Sequence, residues 1–253
     1  MTTRWEPIHR LLRPLGFDVV RHPGPATLRG RRLAALRAHG VDLVVDVGAN
    51  VGQYASELRS LGYRGEIVSL EPEPRAFARL LEASARDPRW RALRLALGDF
   101  DGRAPLNVAD DSVNSSLLST LPAQVEAEPR STVVGEVEVE VRRLDSICGE
   151  LVHGAERPLL KLDVQGYELR ILQASPTSLD RFVGLEVELS LVPLYAGGAL
   201  MGEAVEWLEG RGFWLTELEP EFSDPRTGRL LQVNGMLFRA REDAPPGIPE
   251  ARA

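Results

Sequence analysis

Apolar residues along this chain fall into short continuous runs, separated by longer stretches with helical spacing. VDLVVDV (41–47), EIVSLEP and ALRLALGD read as three successive strands. Between the first two, Tyr54, Leu58 and Leu61 recur at helical intervals ahead of Gly62, which supplies a C-terminal cap. Pro74 opens a second helix with Phe77, Leu80, Leu81 and Ala85 as its apolar positions. A less regular insert follows: a short strand APLNVA, the polar loop DDSVNSSLLST, and the alternating strand GEVEVEVRRL. RPLLKLDV (157–164) reads as the fourth strand of the main series, and YELRILQAS as its helix. VGLEVELSL is the fifth strand, followed by the helix and turn GEAVEWLEGRGF. WLTELEPEF and RLLQVNGMLFRA flank the turn DPRTG and read as a hairpin.

Strands alternating with helices predict an α/β fold built on a mostly parallel sheet. Six strands of one direction and an antiparallel hairpin strand at the end make a seven-stranded sheet. The domain is expected over residues 41–241, preceded by an N-terminal helical cap at 1–40. The Pro-rich polar tail from 242 to 253 is expected to be disordered.

Composition narrows the function. No apolar run approaches a membrane-spanning length, and the start MTTRWEPIHR is not a secretory signal, so no membrane partner and a cytoplasmic location are expected. A single cysteine, Cys148, excludes an internal disulfide and a thiolate zinc cluster. The net charge of −7 disfavours non-specific nucleic-acid binding. The local exception, RGRRLAALRAHG (29–40), reads as a solvated helix face.

The candidate chemistry begins at the first turn, D-x-G-x-N-x-G from Asp46 to Gly52. In doubly wound sheets ligands sit beyond the carboxyl ends of the strands, and Gly48 and Gly52 let backbone and ligand approach there. The dinucleotide spacing G-x-G-x-x-G is absent, and Asp46 would repel a pyrophosphate, which argues against a NAD-linked oxidoreductase. Glu71, 19 residues after Gly52 at the end of the second strand, suits a ribose diol. Asp46 suits an ammonium, and Asp99, closing ALGD, suits an adenine amino group. A ligand with an ammonium, a ribose and no phosphate is S-adenosylmethionine.

At these blocks the sequence resembles a known family. VVDVGANVGQYASELRSLGYRGEIVSLEPEP, ALGD, LLKLDVQGYELRILQ and GRLLQVNGMLF are similar to successive segments of the FkbM-type methyltransferases. The resemblance implies a class I methyltransferase (Rossmann-like) fold, S-adenosylmethionine as methyl donor, and O-methylation of a hydroxyl on a sugar or natural product. Carried over by position, it makes Asp46, Gly48, Asn50, Gly52, Glu71 and Asp99 cofactor contacts. Asn50 stands where many methyltransferases have a third glycine, and its amide could reach the methionine carboxylate.

Two strands carry charges that interior parallel strands normally lack. Lys161 and Asp163 share one face of LLKLDV, and Glu186 and Glu188 one face of LEVELS. Lys161 with Glu186 is the example of a pair across the sheet, and both join Asp163 as catalytic candidates. Asp163 leads, as the base or orienting group for a hydroxyl acceptor. His153 reads as a surface-loop residue, and Glu168 as a packing or capping group. Asp163 with Glu186 or Glu188 could ligate Mg²⁺, but a required metal is not expected. The expected partner is a small hydroxylated molecule. An N-methyltransferase and a non-catalytic S-adenosylmethionine-binding protein are the alternatives.

Overall fold

A computed structural model of the chain describes residues 11–16 and 27–240. Along the chain the strands are β1 (Leu43–Val47), β2 (Glu66–Leu70), β3 (Trp90–Leu93), β4 (Ala96–Leu97) and β5 (Gly102–Ala109). They continue with β6 (Val133–Arg142), β7 (Pro158–Leu162), β8 (Gly184–Ser190), β9 (Phe213–Ser223) and β10 (Leu230–Arg239). The α-helices are α1 (Leu28–Ala38), α2 (Gln53–Leu61), α3 (Pro74–Ser84), α4 (Pro122–Ala127), α5 (Leu144–Leu151), α6 (Glu168–Gln173) and α7 (Met201–Glu209).

The main sheet has seven strands in the order β3-β2-β1-β7-β8-β10-β9. β10 runs antiparallel to both of its neighbours, so the hairpin closes the sheet as the turn DPRTG predicts. This is the class I methyltransferase arrangement expected from the sequence. Local signals explain the element ends. Gly62 caps α2 in the left-handed region at φ 95°, and the Glu73 carboxylate caps α3 by accepting from Ala76 N at 2.6 Å.

Each face of the sheet buries its own apolar layer. Val45, Val47, Leu160, Leu162 and Val187 pack with α5, α6 and α7. Val44, Leu159, Ile67 and Met236 pack with α1 and α2 and with Leu80 of α3. The alternation along β1 and β7 therefore sorts side chains between two helical layers.

Three expectations change. ALRLALGD is not one strand: the chain leaves the main sheet after Leu93, and Ala96–Leu97 pairs instead with β6 in a three-stranded sheet, β4-β6-β5. In α3, Leu80 is fully buried but Leu81 is 52% exposed, because one helical step turns it from the core to solvent. The basic stretch at 29–40 is not wholly a solvated face, since Arg32 is buried. The tail at 242–253 and most of the N-terminal 26 residues lie outside the described residues.

Candidate active site

The carboxyl ends of β2, β1 and β7 lie side by side, bringing Glu71, the turn at Gly48 and Asp163 together. Gly48 and Ala49 both donate backbone N–H groups to Leu70 O at 3.0 Å, which folds the turn back over β2. Gly48 has φ 75°, and a Cβ there would lie 1.8 Å from the Asp163 carbonyl oxygen. Its lack of a side chain is thus required by the neighbouring backbone as well as by the cavity it lines. Gly52, at φ 87°, opens α2 with its α-hydrogen facing the Trp90 indole, where a Cβ would come within 2.8 Å. Close packing of helix on strand explains Gly52, and it is not among the residues lining either cavity described below.

A cleft of about 540 Å³, measured to its open mouth, runs from Gly48 past Glu71 to the apolar residues Leu95, Leu97 and Leu106. Glu71 is 6% exposed and accepts backbone N–H groups from Asn50 (2.8 Å) and Glu73 (2.8 Å), one on each oxygen. Each oxygen keeps a lone pair for a further donor, which suits a pair of adjacent hydroxyls. Burial raises the Glu71 pKa to about 7, outweighing those two hydrogen bonds. Asn50 holds φ 46°, donates its side-chain amide to Ser112 Oγ (2.9 Å) and accepts from Val51 N. Its amide thus ties the first turn to the polar insert, of which Ser112, Val113, Ser115, Ser116 and Leu117 line the cleft wall.

A row of polar side chains crosses the sheet under α1 and α2. Ser69, Asp46, Lys161 and Glu186 are successive register partners on β2, β1, β7 and β8. Asp46 is fully buried, pairs with Lys161 at 3.2 Å and accepts from Ser69 Oγ at 3.0 Å. It does not line the cleft. The suggested Lys161–Glu186 pair gives way to other partners, although the register does set them side by side. Lys161 Nζ lies between Asp46 and Asp163 (3.3 Å), while Glu186 takes Arg32 (3.1 Å) and the Tyr54 hydroxyl (2.6 Å). Burial alone would lower the Lys161 pKa, but Asp163 and Asp46 hold it above the usual lysine range. Burial raises the Glu186 pKa against the opposing pull of Arg32.

Asp163 follows β7 and is the more open end of this network, its side chain 34% exposed. Lys161 holds Oδ2, and the Gln165 amide donates to Oδ1 at 2.9 Å. Gln165 is buried at φ 57°. It also donates to Glu188 and accepts from the Tyr195 hydroxyl. Burial, and then Asp163, push the Glu188 pKa well up. Glu168 caps the loop by accepting from Val164 N (2.9 Å) and Gly166 N (3.2 Å), and burial raises its pKa to about 7. Arg32 and Tyr195 lie outside the family-like blocks, and Tyr54 and Gln165 lie inside them without standing out as site residues. The left-handed step at Gln165-Gly166 was open to suspicion from the glycine after a strand end, but its polar contacts were not.

Asp99 is exposed and accepts from the Tyr167 hydroxyl at 2.8 Å. Tyr167 lines the cleft, and Asp99, which follows the turn of the chain into the smaller sheet, is not among its lining residues. His153 is exposed at the opposite end of the strands, beside the start of β7. Among the described residues no group of three or more His, Cys, Asp or Glu side chains has a geometry suited to holding a metal ion. No helix among them is long and apolar enough to cross a membrane.

A second cavity lies against α1 and α2, lined by Tyr54, Lys161, Glu186 and residues of β9 and β10. It shares two residues with the cleft, Gly48 and Asp163. One site thus has two compartments: a partly apolar one beside Glu71 and a strongly polar one beside Glu186.

Comparison with known proteins adds to this geometry. A profile of the methyltransferase FkbM domain matches residues 46–215. The chain is 27% identical over 190 residues to the 2-O-methyltransferase NoeI of Sinorhizobium fredii, covering 70% of this chain and 75% of that protein. It is 28% identical over 168 residues to the hexuronic acid methyltransferase AglP of Haloferax volcanii, covering 64% of this chain and 62% of that protein. Among solved structures, Aeropyrum pernix fibrillarin with bound S-adenosyl-L-methionine matches at a TM-score of 0.43 and 13% identity, covering 81% of this chain and 74% of that one.

Proposed function

The chain belongs to the FkbM methyltransferase family and is an S-adenosylmethionine-dependent methyltransferase, and from that premise we propose that it methylates a hydroxyl of a sugar. The observation that carries this reading is the pair of compartments meeting at Asp163. The similarity to NoeI and AglP, both named as methyltransferases and one for a hexuronic acid, supports the sugar.

The cleft fits the nucleoside half of the donor. Glu71 would hold the ribose hydroxyls, Gly48 and the turn would back the chain beyond it, and the Leu95–Leu97 end would receive the base. When bound, S-adenosylmethionine supplies an electrophilic methyl group. Asp163, at the boundary, takes the proton of the acceptor hydroxyl as that oxygen gains its methyl. Lys161 and Gln165 fix the two oxygens of Asp163, so little reorientation is needed during the reaction. Ser112, Val113, Ser115, Ser116 and Leu117 form one wall of this cleft.

The test is methyl transfer from carbon-13 labelled donor to a panel of glycosides, followed by NMR of the product. A new methoxy carbon on the sugar is expected. Label on an amine nitrogen, or no label transferred to any glycoside by enzyme that binds the donor, would overturn the reading.

A further inference from the structure

The second cavity has a charge balance that bears on which sugar it takes. It is an open cavity whose free space, with the solvent at its mouth included, is about 770 Å³. Five carboxylates line it: Glu57, Asp163, Glu186, Glu219 and Glu221. The cations are three, namely Arg29, Arg32 and Lys161. The formal balance is therefore −2, from five negative and three positive groups.

The cations are already engaged. Arg29 pairs with Glu57 at 2.6 Å, and Arg32 with Glu219 at 2.8 Å and Glu186 at 3.1 Å. Lys161 is shared between Asp46 and Asp163. Glu221 makes no ion pair among the described residues; its carboxylate accepts only from the Asn234 amide at 2.9 Å. An acceptor's own carboxylate entering here would meet Glu221 and Asp163 without a free cation to receive it. Hydroxyl and ammonium donors find ready acceptors instead.

Arg32 is 7% exposed, and its guanidinium is committed to Glu186 and Glu219, so it offers no open cation to an entering carboxylate. The methyl donor's ammonium and carboxylate cancel, and its sulfonium offsets one of the two net negative charges, which leaves the subsite negative.

We propose that this cavity is the acceptor subsite, and that it selects a neutral or amino-bearing sugar over a uronic acid. The proposal rests on the sugar-methylating reading and adds the acceptor's charge class. Discrimination arises from like charge at an open, solvent-screened site, so it is expected at about tenfold rather than absolute.

The experiment uses the full chain and three matched probes: the methyl β-glycosides of glucose, glucosamine and glucuronic acid. Their affinities are measured by ligand-observed NMR with S-adenosylhomocysteine present, and then their rates with labelled donor. The glucosaminide and glucoside should each bind about tenfold tighter than the glucuronide. Glu221→Gln, at an exposed rim position, should narrow that ratio. A glucuronide bound as tightly as the glucosaminide would overturn the charge selection and leave sugar methylation standing. If all three fail to bind while calorimetry shows normal donor binding, the selection and the sugar reading fall together. An unchanged ratio in Glu221→Gln would remove Glu221 as its source and overturn the argument from charge balance.

Discussion

Lys161 reaches 3.2 Å across to Asp46, its register partner on β1, and leaves Glu186, its partner on β8, to Arg32. Asp46 is the most enclosed carboxylate of the row, with 0% exposure, so it has the most to lose without a cation. Arg32 arrives from α1 to serve the carboxylate that Lys161 does not.

The first prediction follows from that enclosure. Lys161→Met strands a buried carboxylate, and stability should fall by about 3–5 kcal/mol. Adding Asp46→Asn should recover much of the loss, since the uncompensated charge goes with it. Urea unfolding of both variants checks this. Additive losses in the double variant would mean the two groups are not coupled.

A second prediction concerns pH. Glu71 has its pKa raised from 4.5 to about 7, so the folded state holds a proton there that the unfolded chain has lost. Its contribution to stability is full below about pH 4.5 and is lost as pH rises through 7. Donor binding should run the opposite way, because only the ionised carboxylate accepts from two hydroxyls. Affinity should therefore rise between pH 6 and pH 8, and Glu71→Gln should flatten that rise and weaken binding by about 1–3 kcal/mol. Glu168 titrates in the same range, and the variant separates the two. A slope that survives Glu71→Gln would take its origin away from Glu71 and place it on another raised carboxylate such as Glu168.

Gly48→Ala and Gly52→Ala should both destabilise, for different reasons. The first drives a methyl against the Asp163 carbonyl, and the second against the Trp90 ring; both positions also require left-handed backbone. About 1–3 kcal/mol is expected for each from overpacking. Only Gly48→Ala should also change donor affinity beyond the loss in folded fraction, because only Gly48 lines the cleft. Calorimetry at a temperature where both variants are folded tests the difference.

The succession of strands and helices, the terminal hairpin and the end-of-strand position of Glu71 were legible in the sequence because they follow from local periodicity and one spacing rule. Residue type and face also marked Lys161, Asp163 and Glu186 as out of place in buried strands. What could not be read was which partner each would take. Lys161 lies between two register neighbours, and the choice depends on Arg32, 129 residues earlier, entering from another element. The strand leading to Asp99 was misread for a related reason: Leu93 and Ala96 look continuous as a β pattern, but their chain changes sheets between them. Gln165 and Tyr195 meet only through the fold, and a lone glutamine after a strand gives no signal of its network.

The division of the site at Asp163 is tested most directly by Asp163→Asn, with donor affinity and turnover measured on the same preparation. The substitution keeps the size and removes the charge, and its single oxygen can accept from Lys161 or Gln165 but not from both. The account predicts donor binding within about twofold of wild type and turnover lower by about 10²–10⁴, the range of a lost general base. Near-wild-type turnover with a verified acceptor, or donor affinity lost in parallel with turnover, would contradict it.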